Sequence, residues 1–469
     1  MESLHSQSSS DIIDAAMFLL LPRKLLKLLS VAVLALFFSA PLCADEPDLT
    51  LQSAYKEALA NGQYAEAELA AKRRLQQAIR DGKRDQLSTV SLLNDLAFAQ
   101  YRNEDYDAAL QNYELSIVLV ESNTDMLNWR LVEPLLGIGR LQVDRGRPDL
   151  ALLPVERALH VHAVNEGPHS LSQSAALELL ADTYLVMAEY AKATDVADRL
   201  VILFDRNYSR DSTEIIPALM RKGRILGAAL EWRDERDAYS DAVSILRKRR
   251  NTSSALMARP LIALGSSHQA EYFHEYLQAE ADDELPDTML LEKAEKYYRA
   301  ALDHAQSADI PDWRITSEAQ LAIADFYVLT EQPVRARRYY RDAWQLLSES
   351  PERAGQKRQQ LEMIVPLWQV TPDLTVALPR DADDGAPNSD YDTGYIVVQF
   401  TVNRRGRLTN IGLLEIEPER NAAIEAEVKS ALTQFIYRPR FVSGAAVAIP
   451  EQKIRYQFPV VRSSRDDSQ

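Results

Sequence analysis

The sequence predicts a mainly α protein, an α-solenoid of helical hairpins followed by a small α+β module of ββαβ order. Three observations predict it. Ala97, Gly139, Ala181, Gly223 and Gly265 follow one another at steps of 42 residues. Tyr64, Tyr106, Pro148, Tyr190 and Trp232 keep the same step, nine residues behind that register, and Ala67, Ala109, Ala151 and Ala193 keep it twelve behind before it degrades at Glu235. Past Trp368 the helical spacing gives way to strict apolar alternation. A fixed period of this size marks stacked helical hairpins, each burying its apolar face against the next. Such arrays bind other molecules along a curved surface and seldom do chemistry.

At 469 residues the chain exceeds what one core supports, so an elongated array or several domains is expected. Its hydrophobic share of 46% is that of an ordinary folded protein. A net charge of −16 argues against nucleic acid as a partner, because phosphate binding depends on Lys and Arg contacts. The basic runs Arg247–Arg250 and Arg335–Arg341 read as solvated helix faces.

The first 44 residues read as a secretory signal. Arg23, Lys24 and Lys27 precede the apolar run Leu28–Phe38, and Ser39–Ala44 leads into Asp45-Glu46-Pro47-Asp48. A positive head, a short apolar middle and a small residue before an acidic start place cleavage after Ala44. Two alternatives stand beside it: retention of residues 25–42 as a single membrane anchor, and lipidation at Cys43, the sole cysteine. Cleavage leaves a mature chain with no cysteine, hence neither a disulfide nor a thiolate metal site. Residues 1–16 lack the features of a signal head, which points to Met17 as a second candidate start.

From residue 45 to 370 each repeat has a helix A with the small residue, a tight turn, and a helix B. Helices pack 8–10 Å apart, and small side chains at the crossing allow the close end of that range. Gly62-Gln63-Tyr64-Ala65-Glu66-Ala67, Glu104-Asp105-Tyr106-Asp107-Ala108-Ala109 and Ala188-Glu189-Tyr190-Ala191-Lys192-Ala193 carry the pattern across the turn. These residues resemble the tetratricopeptide repeat, in the longer-helix form seen in kinesin light chains. After Gly265 the next small helix-A residue is Ala324, 59 residues on, and the helix-B residues Ala294, Tyr298 and Ala301 are displaced likewise. One insertion of 17 residues is therefore expected between the helices of repeat six, around His274–Leu291, with an acidic loop at Ala281–Pro286. A seventh repeat carries Ala324, Pro333, Ala336, Tyr340 and Ala343.

Pro372, Pro379 and Pro387 punctuate residues 371–393, which read as a mobile linker. The module spans 394–462, with 463–469 a disordered tail. Ile396, Val398, Phe400 and Val402 share one strand face, and the turn Asn403–Gly406 leads to a second strand, Leu408–Ile416. Ile424, Val428, Leu432 and Phe435 have helical spacing, and Ile454, Tyr456, Phe458 and Val460 close on a strand. Together with Gly394–Val402, Gly406–Asn410 and Phe435-Ile436-Tyr437-Arg438-Pro439, this order resembles the C-terminal domain of the TonB family. The resemblance implies pairing of an exposed strand with a short receptor segment, a sound mode because unpaired backbone groups give affinity. The family's Pro-rich rod is missing here, Asp390-Tyr391-Asp392 stands where its Tyr-Pro element would be, and the anchor segment has no His.

Recognisable catalytic motifs are absent. His160 and His162 are two apart on a helix and face different ways. Asp282 and Asp283 have nothing to fix the spacing that acid–base work demands. No phosphate loop, nucleophile elbow or zinc-protease helix occurs. No enzyme, cofactor or metal is expected. The repeat resemblance implies groove positions three before, one after and four after each small residue. These give Asn94, Phe98, Tyr101, Arg140, Glu178, Asp182, Arg224 and Gln269 as partner-contacting candidates, set against a merely solvated face. The expected function is a periplasmic protein–protein adaptor of the bacterial envelope, binding other proteins or peptides, among them an outer-membrane receptor or envelope complex. It would touch the membrane only through an uncleaved N-terminal segment. The alternatives are an inner-membrane-anchored TonB-like transducer and an enzyme with a site at the repeat-six insertion.

Overall fold

A computed structural model describes residues 48–81, 86–249, 254–282, 286–369, 376–379, 391–417 and 422–463. The signal segment, Cys43, Asp283, Pro372, Pro387 and the final residues 464–469 lie outside them. Two compact units divide the chain, Met1–Ile245 and Leu246–Gln469.

The first unit is built of helical hairpins: α1 (Asp48–Ala60) with α2 (Tyr64–Arg80), α3 (Gln86–Arg102) with α4 (Tyr106–Asn123), and α5 (Val132–Asp144) with α6 (Pro148–Glu166). They continue with α7 (Ser174–Val186) paired to α8 (Tyr190–Asn207), and α9 (Ile216–Ala228) paired to α10 (Trp232–Lys248), whose last residues belong to the second unit. Tyr64, Tyr106, Pro148, Tyr190 and Trp232 each open a helix B. Two residues before each opening the chain turns left-handed, at Gly62, Glu104, Gly146, Ala188 and Leu230. The turns close with the backbone bonds of a Schellman cap, such as Asp105 N–H to Gln100 O at 2.9 Å and Glu231 N–H to Leu226 O at 2.9 Å. Paired caps of this kind set a fixed reversal, and a fixed reversal holds the period.

The small residues are required by contact. A Cβ at Gly223 would stand 2.3 Å from the ring of Tyr239 in the facing helix, and one at Gly139 would stand 2.5 Å from Val155. Gly137 receives the Tyr113 ring from the preceding repeat, where a Cβ would come within 2.3 Å. Glu235, where the alanine register degrades, is buried, and its carboxyl lies where a Cβ on Gly227 would be, 2.5 Å away. The glycine makes room for the larger side chain.

The second unit holds α11 (Ala258–Asp282), α12 (Met289–Gln306), α13 (Trp313–Leu329) and α14 (Pro333–Ser348). These complete seven hairpins among the described residues. Here the structure corrects the form of the insertion. Helix A of repeats three to five has 13 residues, whereas α11 has 25. In this register the left-handed break would fall at Tyr272, and there the helix simply runs on, adding about 18 Å at 1.5 Å per residue. Asp282 is the last residue of that helix and not part of a loop.

The single turn α15 (Ala354–Lys357) leads through Arg358–Glu362 to the β-rich end: β1 (Pro366–Trp368), β2 (Val376–Pro379), β3 (Tyr391–Val402), β4 (Leu408–Glu417), α16 (Ala422–Thr433), β5 (Ile436–Tyr437), β6 (Arg440–Val442), β7 (Ala445–Val447) and β8 (Ile449–Ser463). The main sheet has the order β2-β8-β3-β4, parallel only between β2 and β8. Ile396, Val398, Phe400 and Val402 are buried against Ile424, Val428, Leu432 and Phe435, the stripes read from the sequence. The range 371–393 is not linker throughout, since β2 lies inside it and β3 begins at Tyr391, both drawn in by backbone pairing to β8. No helix among the described residues is long and apolar enough to cross a membrane.

One substitution tests the packing. Gly223→Ala forces a methyl into the Tyr239 ring and should cost about 1–3 kcal/mol in urea unfolding.

Candidate functional site

The residue after each small helix-A residue is the position to follow. It holds Phe98, Arg140, Asp182 and Arg224 in repeats two to five. The register is real in space: Arg224 Nη2 donates to Asp182 Oδ1 at 2.6 Å, joining equivalent positions of successive repeats. Arg221 donates to the other oxygen of Asp182 and, at 3.3 Å, to the backbone oxygen of Glu178. One carboxylate thus holds two guanidinium groups, and the trio carries one positive charge over. Arg140 holds the same position one repeat before Asp182, is exposed, and forms no salt bridge among the described residues; its charge reaches the Glu133 carboxyl, pulling it down against the effect of burial.

The other sequence candidates are engaged differently. Asn94 is buried and its amide donates to Glu133 Oε2 at 3.0 Å. Its Oδ1, buried as well, has no hydrogen-bond partner among the described residues. Phe98 and Tyr101 lie with ring centroids 6.2 Å apart, and Tyr101 stands equally far from Tyr106. The Tyr101 hydroxyl donates to Asp144. Burial first, and then the carboxylate it serves, push this phenol up to about 12. Gln269 belongs to the second unit, where its Oε1 accepts from Tyr298 at 3.2 Å. The structure therefore brings together Glu178, Asp182 and Arg224, with Arg140 one step along the same register. Asn94, Phe98 and Tyr101 form a neighbouring, largely packed group.

Arg221 is the residue that sequence reasoning missed. It sits two before Gly223, off the three positions carried over from the repeat resemblance, and the signal that marks it is its spacing of 39 from Asp182. A second polar cluster lies in repeats one and two. Arg74 is buried, bonds Asp95 Oδ2 at 2.7 Å and Asp48 Oδ1 at 3.2 Å, and borders a cavity of about 240 Å3 lined also by Asp81, Ser88 and Ser91. Burial raises the Asp95 carboxyl against the pull of Arg74. No group of three or more His, Cys, Asp or Glu among the described residues is arranged to hold a metal ion.

No family model matches the chain, and no curated protein matches it either. Among solved structures it is similar to the nearly identical TPR-like repeats of a putative kinesin light chain from Podosopora anserina, at 15% identity over 45% of this chain and 100% of that one, TM-score 0.39. It is also similar to BtubC from P. vanneervenii (18% identity, 54% and 92% covered, TM-score 0.37). A third is a signal transduction ATPase with a tetratricopeptide repeat sensor from Pyrococcus horikoshii (16%, 63% and 45%, TM-score 0.39). At this level the likeness concerns the fold alone, and the assignment of stacked hairpins rests on the helices and caps described above.

The charges of this helix-A register are separable from stability. Arg224 is 49% exposed and Asp182 36%, so Arg140→Ala and Arg224→Ala should each change unfolding free energy by less than about 1 kcal/mol. Arg74, 7% exposed between two carboxylates, is the contrast: Arg74→Ala should cost about 3 kcal/mol in chemical denaturation.

Proposed function

We propose that the chain is a periplasmic protein-binding adaptor that holds a carboxylate-bearing segment of a partner on the helix-A face of repeats three to five. Arg140 is the observation that carries this reading. Its register neighbours Asp182 and Arg224 satisfy each other, whereas its own guanidinium is exposed and forms no salt bridge among the described residues, with Glu133 near enough only to feel its charge. A planar guanidinium has five N–H donors in a fork that matches a carboxylate. Asp182, already shared by two arginines, adds no free negative charge to repel one. The half-buried rings of Phe98 and Tyr101, one repeat earlier, would give the segment an aromatic surface to lie on.

Export is proposed from the N-terminal pattern of Arg23, Lys24 and Lys27, the apolar run and Ala44 before Asp45. The β-rich end adds a second surface of the TonB-like kind. Strand β4 pairs with β3 on one side, and its other side pairs with no strand among the described residues. An extended partner segment added there would gain backbone bonds without burying a large area.

Capture from an envelope extract tests the groove. Arg140→Glu should lower recovery of the bound partner at least about ten-fold, with the effect deepening at low salt where like charges repel most. Full recovery by a folded Arg140→Glu chain would remove the groove reading. Terminal sequencing of the exported protein should begin at Asp45; a longer mature chain would replace cleavage by anchoring.

A further inference from the structure

Repeat seven is the last hairpin, yet its bonding residues are not idle. Asp325 follows the small Ala324, the position that Asp182 holds in repeat four. Asp182 receives an arginine from the same position of the next repeat. Asp325 receives Arg438, which lies between β5 and β6: Nε donates to Oδ1 at 2.9 Å and Nη2 to Oδ2. The side chains are 13% and 16% exposed. Tyr340 donates its hydroxyl to the same Oδ1 at 2.6 Å. Arg438 also donates from Nη1 to Gln360 O and from its backbone N–H to Val365 O, each at 2.8 Å.

The apolar contacts follow the same register. Tyr340 stands sixteen residues after Ala324, as Tyr113 stands sixteen after Ala97. Tyr113 is covered by helix A of the next repeat at Gly137. Tyr340 is covered instead by Phe441, ring centroids 5.3 Å apart. One turn further along α14, the Trp344 ring meets Gly444, where a Cβ would be in ordinary contact at 3.4 Å. On the other flank β1 pairs with β5, and Trp368 of β1 lies on Phe273 with centroids 5.0 Å apart. Phe273 belongs to the added turns of α11, which have no counterpart in the other described helices A.

We infer that the β-rich end is the C-terminal cap of the array: Arg438 and Phe441 stand where an eighth repeat would place its helix A, and the extended α11 buttresses them. An array of hairpins needs a different surface at its last apolar face, since each repeat is covered only by its neighbour. A bidentate guanidinium–carboxylate pair suits that role, because it specifies one seating and is costly to break once buried. The Arg438-Pro439 segment, part of the TonB-like signature, is thereby committed to the chain's own helices. A partner that meets this end must use another surface. This inference stands independently of what the groove of repeats three to five binds.

Hydrogen exchange followed by mass spectrometry on the full chain tests it. Arg438→Asp should speed exchange about ten-fold or more both in α14 and in β5–β7, while α5–α8 keep their protection, since local opening spreads through the elements that the broken pair held together. The exchanged pair Asp325→Arg with Arg438→Asp should recover most of that protection. If the single reversal unfolds the chain broadly, Tyr340→Phe decides: removal of one hydroxyl bond should speed exchange about three-fold in both elements. Acceleration confined to β5–β7 with α14 unmoved would overturn the cap and leave a tethered head. No acceleration in either element would overturn it as well.

Discussion

One close approach governs the array, that of the small residue of a helix A to the ring or branched side chain facing it. Gly223 against Tyr239 and Gly139 against Val155 leave no room for a methyl group. Because that approach is so close, the turn joining the helices must reverse the chain in one way only. The left-handed residue and its paired backbone bonds do this at Gly62, Glu104, Gly146, Ala188, Leu230 and, in repeat seven, Glu331. Crossing distance and reversal together set the period, and the period sets which residues align from one repeat to the next. The alignment of Asp182 with Arg224 follows from that.

The same alignment explains how one register serves two purposes. In the first unit the position after the small residue carries Arg140, Asp182 and Arg224, partly exposed and available to solvent. In repeat seven it carries Asp325, and burial with Arg438 and Tyr340 turns it into an internal bond. The chemistry is alike in both places, a carboxylate gripping a guanidinium. The difference is exposure: the half-exposed pair contributes little to stability and is free to exchange partners, whereas the buried one fixes a seating.

Much of the array is legible in the residues. The 42-residue step locates the helices, the turns and the repeat count, because glycine and alanine at a crossing leave a direct mark on the chain. The left-handed turn position is only partly legible: Gly62 and Gly146 mark it, but elsewhere it is held by Glu104, Ala188, Leu230 and Glu331, residues without glycine's freedom on which the backbone bonds impose the conformation. The break in period locates the insertion, but as far as Asp282 its form is a continued helix, which takes in the first two residues of the expected acidic loop. Tyr272–Ala281 contains neither Gly nor Pro, so nothing stops the helix once the turn is absent. Register alone places the groove candidates. Their engagement is invisible in the sequence because Glu133, Asp144 and Arg221, which bind Asn94, Tyr101 and Asp182, occupy none of the three positions that the repeat resemblance implies. The seating of the β-rich end is hidden for a simpler reason: Arg438 and Asp325 are 113 residues apart.

One repeat geometry thus presents two faces, the helix-A register proposed to meet a partner and the helix-B surface set against solvent. Leu153 and Ile202, exposed on helices B, are the natural counterpart to Arg140 and Arg224. The most direct measurement is photo-crosslinking in the living cell, with the reactive residue placed singly at each of these four positions. Positions 140 and 224 should capture the same partner protein, and positions 153 and 202 should not. Capture from 153 and 202 with none from 140 and 224 would contradict the groove assignment.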